Sequence, residues 1–180
     1  MAFRRGFKAE ANRIALRVRV QMGLTAHAPI NPDEVCQHFD IELIALSQLG
    51  GDGAALLGTD NSVFSAVTVP YGARLAIVHN DSHHPYRQRS NICHELGHCF
   101  LGHKHTPPLT EDGERIRDGG IEAEANYLAG TLLLTNEGAF HILKARLTPA
   151  AAQKLYGISK PMLDYRLHVS GARKIHQRSL

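Results

Sequence analysis

RQRSNICHELGHCFLGH, residues 87–103, sets two histidines, His94 and His98, four positions apart in a run of helical character. At 3.6 residues per turn they stand only about 40° apart in azimuth, so both rings can reach one ion. Glu95, beside His94, points obliquely past that ion and can take a proton from a water bound there without being a ligand. Zinc lowers the pKa of such a water toward ~7 and polarises a carbonyl, so the spacing implies amide hydrolysis at Zn2+. Ile92, Leu96, Phe100 and Leu101 surround the motif, which predicts a helix buried on much of its surface. Cys93 and Cys99 fall on other azimuths and read as small buried residues rather than ligands or nucleophiles.

A catalytic zinc takes three protein ligands and keeps one position for water. Five residues of motif do not supply the third, so another rigid element must. Glu122 opens the next strong helix, about Ile121–Leu134, and is the expected ligand; Asn126, one turn on, is placed to hold the outer nitrogen of a ligating histidine. Glu124 is the alternative ligand, because a helix start is fixed only to within a residue or two. A three-histidine site would need glycine at 101 and histidine at 104, where the chain has Leu101 and Lys104. His103 and His105 fall in the loop after the helix and are expected to face solvent; His103 is the residue that would close a purely structural site. His83 and His84 lie upstream, where they are not assigned as ligands. Tyr71, Tyr86, Tyr127 and several histidines all remain open as the group that stabilises the oxyanion.

Outward from this centre, the 180 residues suit one compact unit, and 43% hydrophobic with 21% charged residues excludes a mostly disordered chain. Phe7, Ala11, Ile14, Val18 and Met22 recur at helical spacing and predict a helix from about Gly6 to Gly23, with Arg13, Arg17 and Arg19 on a solvated outer face. Asn31-Pro32-Asp33-Glu34 is a helix start, with an amide-capping side chain, a first-turn proline and acids at the positive dipole end. Ile41–Leu46 reads as a strand followed by the glycine-rich LSQLGGDGAALLG, and Val63–Val69 with Arg74–Val78 as a hairpin turning at Pro70, Tyr71 and Gly72. The polar stretch 103–120 reads as loop. Thr135 and Asn136 break one helix and cap the next, Glu137–Leu147. LTPAAAQKLYGISKPMLDYRLHVSG reads as two short helices, and ARKIHQRSL as a frayed basic tail.

Three cysteines without CxxC spacing indicate neither a disulfide framework nor a thiolate metal site. The formal charge of +3 is too small to diagnose nucleic-acid binding. No apolar run is long enough for a bilayer, and the basic start MAFRRGFKAEANR lacks the apolar core of a secretory signal, so a cytoplasmic location with no membrane contact is expected.

RQRSNICHELGHCFLGH followed by IEAEANYLAGTLLLT, and more weakly NPDEVCQHFDIELI before them, resembles the ImmA/IrrE family of bacterial metallopeptidases, known from mobile elements, phages and stress-response operons. The resemblance extends from about residue 8 to residue 170. It implies a gluzincin-like site in which the glutamate four before the asparagine, here Glu122, is the third ligand. It also implies a protein substrate, an XRE-type helix-turn-helix repressor whose cleavage releases repressed genes. Thr135 departs from the proline common after the leucine run, which touches helix termination and not the metal site. AAAQKLYGISKPMLDYRL is similar to the family's C-terminal helical element, which superficially resembles a helix-turn-helix.

The expected fold is α+β and zincin-like: a small, mostly antiparallel sheet packed against the HExxH helix and other helices. A metallopeptidase domain over 1–145, including the N-terminal helix, precedes a small helical element over 146–180. The expected function is a zinc-dependent endopeptidase with His94, His98 and Glu122 as metal ligands, Glu95 as base and Asn126 behind a ligand. Competing with it are a regulatory protein- or DNA-binding module with a structural metal and a zinc amidohydrolase acting on a small molecule.

Overall fold

The computed structural model describes residues 3–50, 64–103 and 119–178. The glycine-rich run after residue 50, the start of the hairpin at Val63, and His105 with most of the polar loop before Gly119 lie outside the described residues. The elements are α1 (Phe7–Gln21), α2 (Pro32–His38), β1 (Ile41–Ala45), β2 (Ala66–Tyr71), β3 (Arg74–His79), α3 (Pro85–Leu101), α4 (Gly119–Leu133), α5 (Asn136–Lys144), α6 (Pro149–Tyr156), α7 (Lys160–Val169) and α8 (Ala172–Arg178), with a 3-10 turn at Leu46–Leu49. This is the expected α+β class. Among the described residues no helix is long and apolar enough to cross a membrane.

The sheet has the order β1-β3-β2, with β1 parallel and β2 antiparallel to β3. It is therefore mixed rather than mostly antiparallel: only β2 and β3 are joined by a tight turn, and β1 enters from α2 to lie along the other side of β3. The turn sits one step later than the sequence suggests. Pro70 and Tyr71 pair with Leu75 and Arg74, and the two-residue loop falls at Gly72, whose φ of 61° suits the turns that match strand twist. Pro70 is tolerated because β2 is an edge strand among the described residues.

Helix α4 is the hub. Residues Ala125 and Tyr127 to Leu133 are all buried, the pattern of a helix covered on nearly every side. Helix α3 packs along it, α1 on another side and α7 near its end, while β2 and β3 cover the opposite side of α3. The α3–α4 crossing is close. A Cβ at Gly97 would lie 2.9 Å from the Ala125 carbonyl oxygen and 3.3 Å from its Cα, so only glycine lets the two backbones meet there.

Arg13 and Arg17 face solvent as expected, but Arg19 does not: it is 0% exposed. It follows Val18 and lies four residues after Ala15, at the border of the apolar face, and its guanidinium donates to the carbonyls of Ala15 (3.2 Å), Ala28 (2.9 Å) and Leu132 (2.9 Å). Arg166 of α7, also 0% exposed, donates to the Leu134 carbonyl (2.8 Å) and Asn136 Oδ1 (3.0 Å) and lies over the Tyr127 ring. Two cations thus meet the last carbonyls of α4, where the helix dipole is negative. Burial pulls Arg19 down to about 10, which still leaves it charged at neutral pH.

Local capping follows the sequence. Asn31, Thr135, Thr148 and Ser159 each accept a hydrogen bond from a first-turn amide, and Gly102 and Gly157 close α3 and α6 in the left-handed region. The hydrophobic core runs on from α4 and α5 through Ala152, Tyr156, Ile158, Leu163, Leu167 and Ala172. The tail expected to fray forms α8 instead: Gly171, with φ of 74°, turns the chain, and Ala172 is fully buried where α8 docks on α5 and α7. Arg89 braces the other end of the core, donating from α3 to the carbonyls of Ile30, Tyr156 and Gly157.

Gly97→Ala is expected to lower stability by about 1–3 kcal/mol in denaturant unfolding, because the added methyl must push α4 away. Arg19→Met is expected to cost about 2–3 kcal/mol, read the same way, since it leaves buried carbonyls without donors.

Candidate metal centre and active site

Helix α3 presents His94 and His98 toward the first turn of α4. The rings lie 4.7 Å apart at 75°, and their Nε2 atoms are 3.1 Å apart. Glu122 reaches both: its Oε2 is 3.4 Å from His94 Nε2 and its Oε1 is 3.6 Å from His98 Nε2. One donor atom from each residue lies within 4.8 Å of the others, a group that could hold a metal ion. Two imidazole nitrogens and a carboxylate match the donor chemistry of a catalytic divalent-metal site. The separation of the two Nε2 atoms fits as well, because ligand atoms about 2.05 Å from a tetrahedral ion are about 3.3 Å from one another. The three side chains are partly open, with exposures of 22%, 14% and 38%.

Glu124, the alternative ligand, faces the other way and accepts from Arg4 Nε at 3.1 Å. Asn126 stands where its spacing puts it, with Oδ1 3.0 Å from His94 Nδ1. Since that oxygen only accepts, the proton of His94 sits on Nδ1 and the Nε2 lone pair faces the centre. His98 has a matching support that the sequence did not reveal: its Nδ1 is 3.0 Å from His103 Nδ1. His103, expected as a solvent-facing loop residue, is half-buried and sits on the outer nitrogen of a ligand-bearing ring rather than in the donor group.

Glu95 lies on the sheet side of α3. Its Oε2 accepts from the hydroxyl of Thr68 at 2.7 Å, and Thr68, in β2, is 7% exposed. The sequence signal for Thr68 was only a hydroxyl within an apolar strand, with nothing to say which helix residue it would meet.

The remaining polar residues near the motif have other roles. His84 caps α3, its Nδ1 accepting from the Tyr86 amide, and His83 Nδ1 lies 3.2 Å from Asn91 Nδ2. Neither joins the donor group. Tyr127 packs edge-on against Phe3 and Phe7 and is 3% exposed, which removes it as an oxyanion donor. Cys36, Cys93 and Cys99 are free thiols, and burial pushes them up to about 12, 12 and 11, so they stay protonated and inert at neutral pH.

A comparison with curated proteins gave no match. The model of the IrrE N-terminal-like domain, a peptidase family, matches residues 36–168, a span that holds the sheet, the donor group, Glu95 and Thr68. With that match covering most of the chain and the candidate metal-binding group inside it, the protein belongs to the ImmA/IrrE family of metallopeptidases.

Proposed function

We propose that this chain is a zinc-dependent endopeptidase that cleaves an XRE-type helix-turn-helix repressor. The observation that carries the reading is the convergence of His94, His98 and Glu122 within 4.8 Å, with Glu95 one residue from the first ligand. His94 Nε2, His98 Nε2 and a Glu122 oxygen would hold the ion. When bound, Zn2+ would polarise the scissile carbonyl and acidify a water beside it.

The chain's own residues do the rest. Asn126 and His103 hold the two imidazoles in ligating orientation through their Nδ1 atoms. Glu95 takes the proton of the attacking water on the oxygen not held by Thr68, and later returns it to the leaving amine. The edge of β2, unpaired among the described residues and beside Glu95, offers main-chain groups to an extended substrate segment, which suits a polypeptide better than a small molecule. Three ligands rather than four support an open, catalytic centre over a structural one among the described residues.

The C-terminal helices support the same reading over a DNA-binding module. Leu163, Arg166 and Leu167 of α7 are buried, so this face of the helix-turn-helix-like segment serves packing. Cleaving a repressor would place the protein upstream of stress-response or mobile-element genes, inside the cytoplasm.

Incubation with the helix-turn-helix repressor encoded beside its gene tests the chemistry. Glu95→Gln is expected to keep its zinc and its melting temperature while cleavage falls at least about 100-fold. Cleavage at the wild-type rate in that variant defeats the assignment. Glu122→Ala is expected to lose zinc in equilibrium dialysis. In the wild type, zinc at about 100 times its Kd should add about 2.7 kcal/mol of stability that EDTA removes, and an equal gain in Glu122→Ala would exclude Glu122 as a ligand.

A further inference from the structure

Thr68 is buried at the interface of the edge strand and the motif helix, where its hydroxyl meets Glu95 Oε2 at 2.7 Å. Its strand position is locked by pairing with Ile77, a fully buried residue of β3.

A glutamate on a helix surface otherwise has three side-chain torsions to settle, and a misplaced base is a slow one. We infer that Thr68 is a positioning residue for the base: it pins Oε2 of Glu95, leaves Oε1 for proton transfer, and ties that carboxylate to β2. On the reading that an extended substrate pairs with the edge of β2, seating that peptide and aligning the base become one event. This rests on the reading of Glu95 as base. It also gives a role to a hydroxyl that core packing alone does not call for, since valine would fill the same space.

Thr68→Val removes the hydroxyl at nearly constant volume, and Thr68→Ser keeps it. Each zinc-loaded protein is assayed on the adjacent-gene repressor and on fluorescein-labelled casein, an unfolded general substrate. Thr68→Val is expected to lower kcat about 10–100-fold, with KM, zinc content and melting temperature near wild type, and Thr68→Ser to restore most of the loss. Thr68→Ala supplies the same comparison should the valine variant melt early. Crystal structures of the zinc-loaded proteins are expected to keep the contact between residue 68 and Glu95 in the wild type and Thr68→Ser, and to lose it in Thr68→Val. The inference is overturned by hydroxyl-free variants that cut as fast as the wild type, by a serine variant no better than valine, or by wild-type crystals in which Glu95 ignores Thr68. A wild type that cuts neither substrate overturns the peptidase reading, and this inference with it.

Discussion

The candidate metal centre depends on a missing side chain. At Gly97 the backbones of α3 and α4 come so close that a Cβ would lie 2.9 Å from the Ala125 carbonyl oxygen. Residues 122, 125 and 126 share one face of α4, spaced three and four apart. Pressing Ala125 against Gly97, next to His98, therefore delivers Glu122 to the Nε2 side of both rings and Asn126 to the Nδ1 side of His94. The glycine in HELGH is as much a part of the site as the histidines, although it touches no ligand. Were the helices spaced by ordinary side chains, the carboxylate would stand too far off to share an ion.

That contact holds only if α4 is fixed along its length. Its far end is gripped by Arg19 and Arg166, whose guanidiniums satisfy the Leu132 and Leu134 carbonyls and set positive charge at the negative end of the dipole. Its near end carries Glu122 in the first turn, where a carboxylate is favoured. The charges at the two ends thus agree with the helix direction, the two arginines serving stability and the one carboxylate the candidate metal site. Burying two arginines is costly, and it is tolerated because backbone carbonyls, which need donors in any case, receive the fork.

What could be read from the chain was what depends on near neighbours. The i,i+4 spacing of His94 with His98 and of Glu122 with Asn126 translated directly into shared faces, and Asn31, Thr135 and Ser159 cap the helices that they precede. What could not be read depends on distant partners. Thr68 meets Glu95 across 27 positions and Arg19 meets Leu132 across 113, and no local pattern fixes which residue a strand or helix face will touch. Arg19 defeated the usual expectation for a helix charge for that reason. The tail misled similarly: its polarity suggested fraying, while one buried alanine, Ala172, was enough to dock it. The hidden role of His103 belongs to the same class, because a loop residue finds a partner only after the helix before it has ended in the left-handed turn at Gly102.

Arg89 carries a consequence for how the molecule can be divided. From the N-terminal half of α3 it grips the Ile30 carbonyl ahead of α2 and the Tyr156 and Gly157 carbonyls at the close of α6, and Gly157 must lack a side chain to leave room for that guanidinium. The helix that bears the histidines is thus clamped by a turn 68 residues beyond Arg89. A fragment trimmed after α5 would retain His94, Glu95, His98 and Glu122, yet leave this part-buried cation with two of its three carbonyl acceptors gone. The minimal folded unit is therefore not the stretch that contains the candidate site residues, and any scheme for dissecting, permuting or transplanting that site has to carry the α6–α7 turn with it.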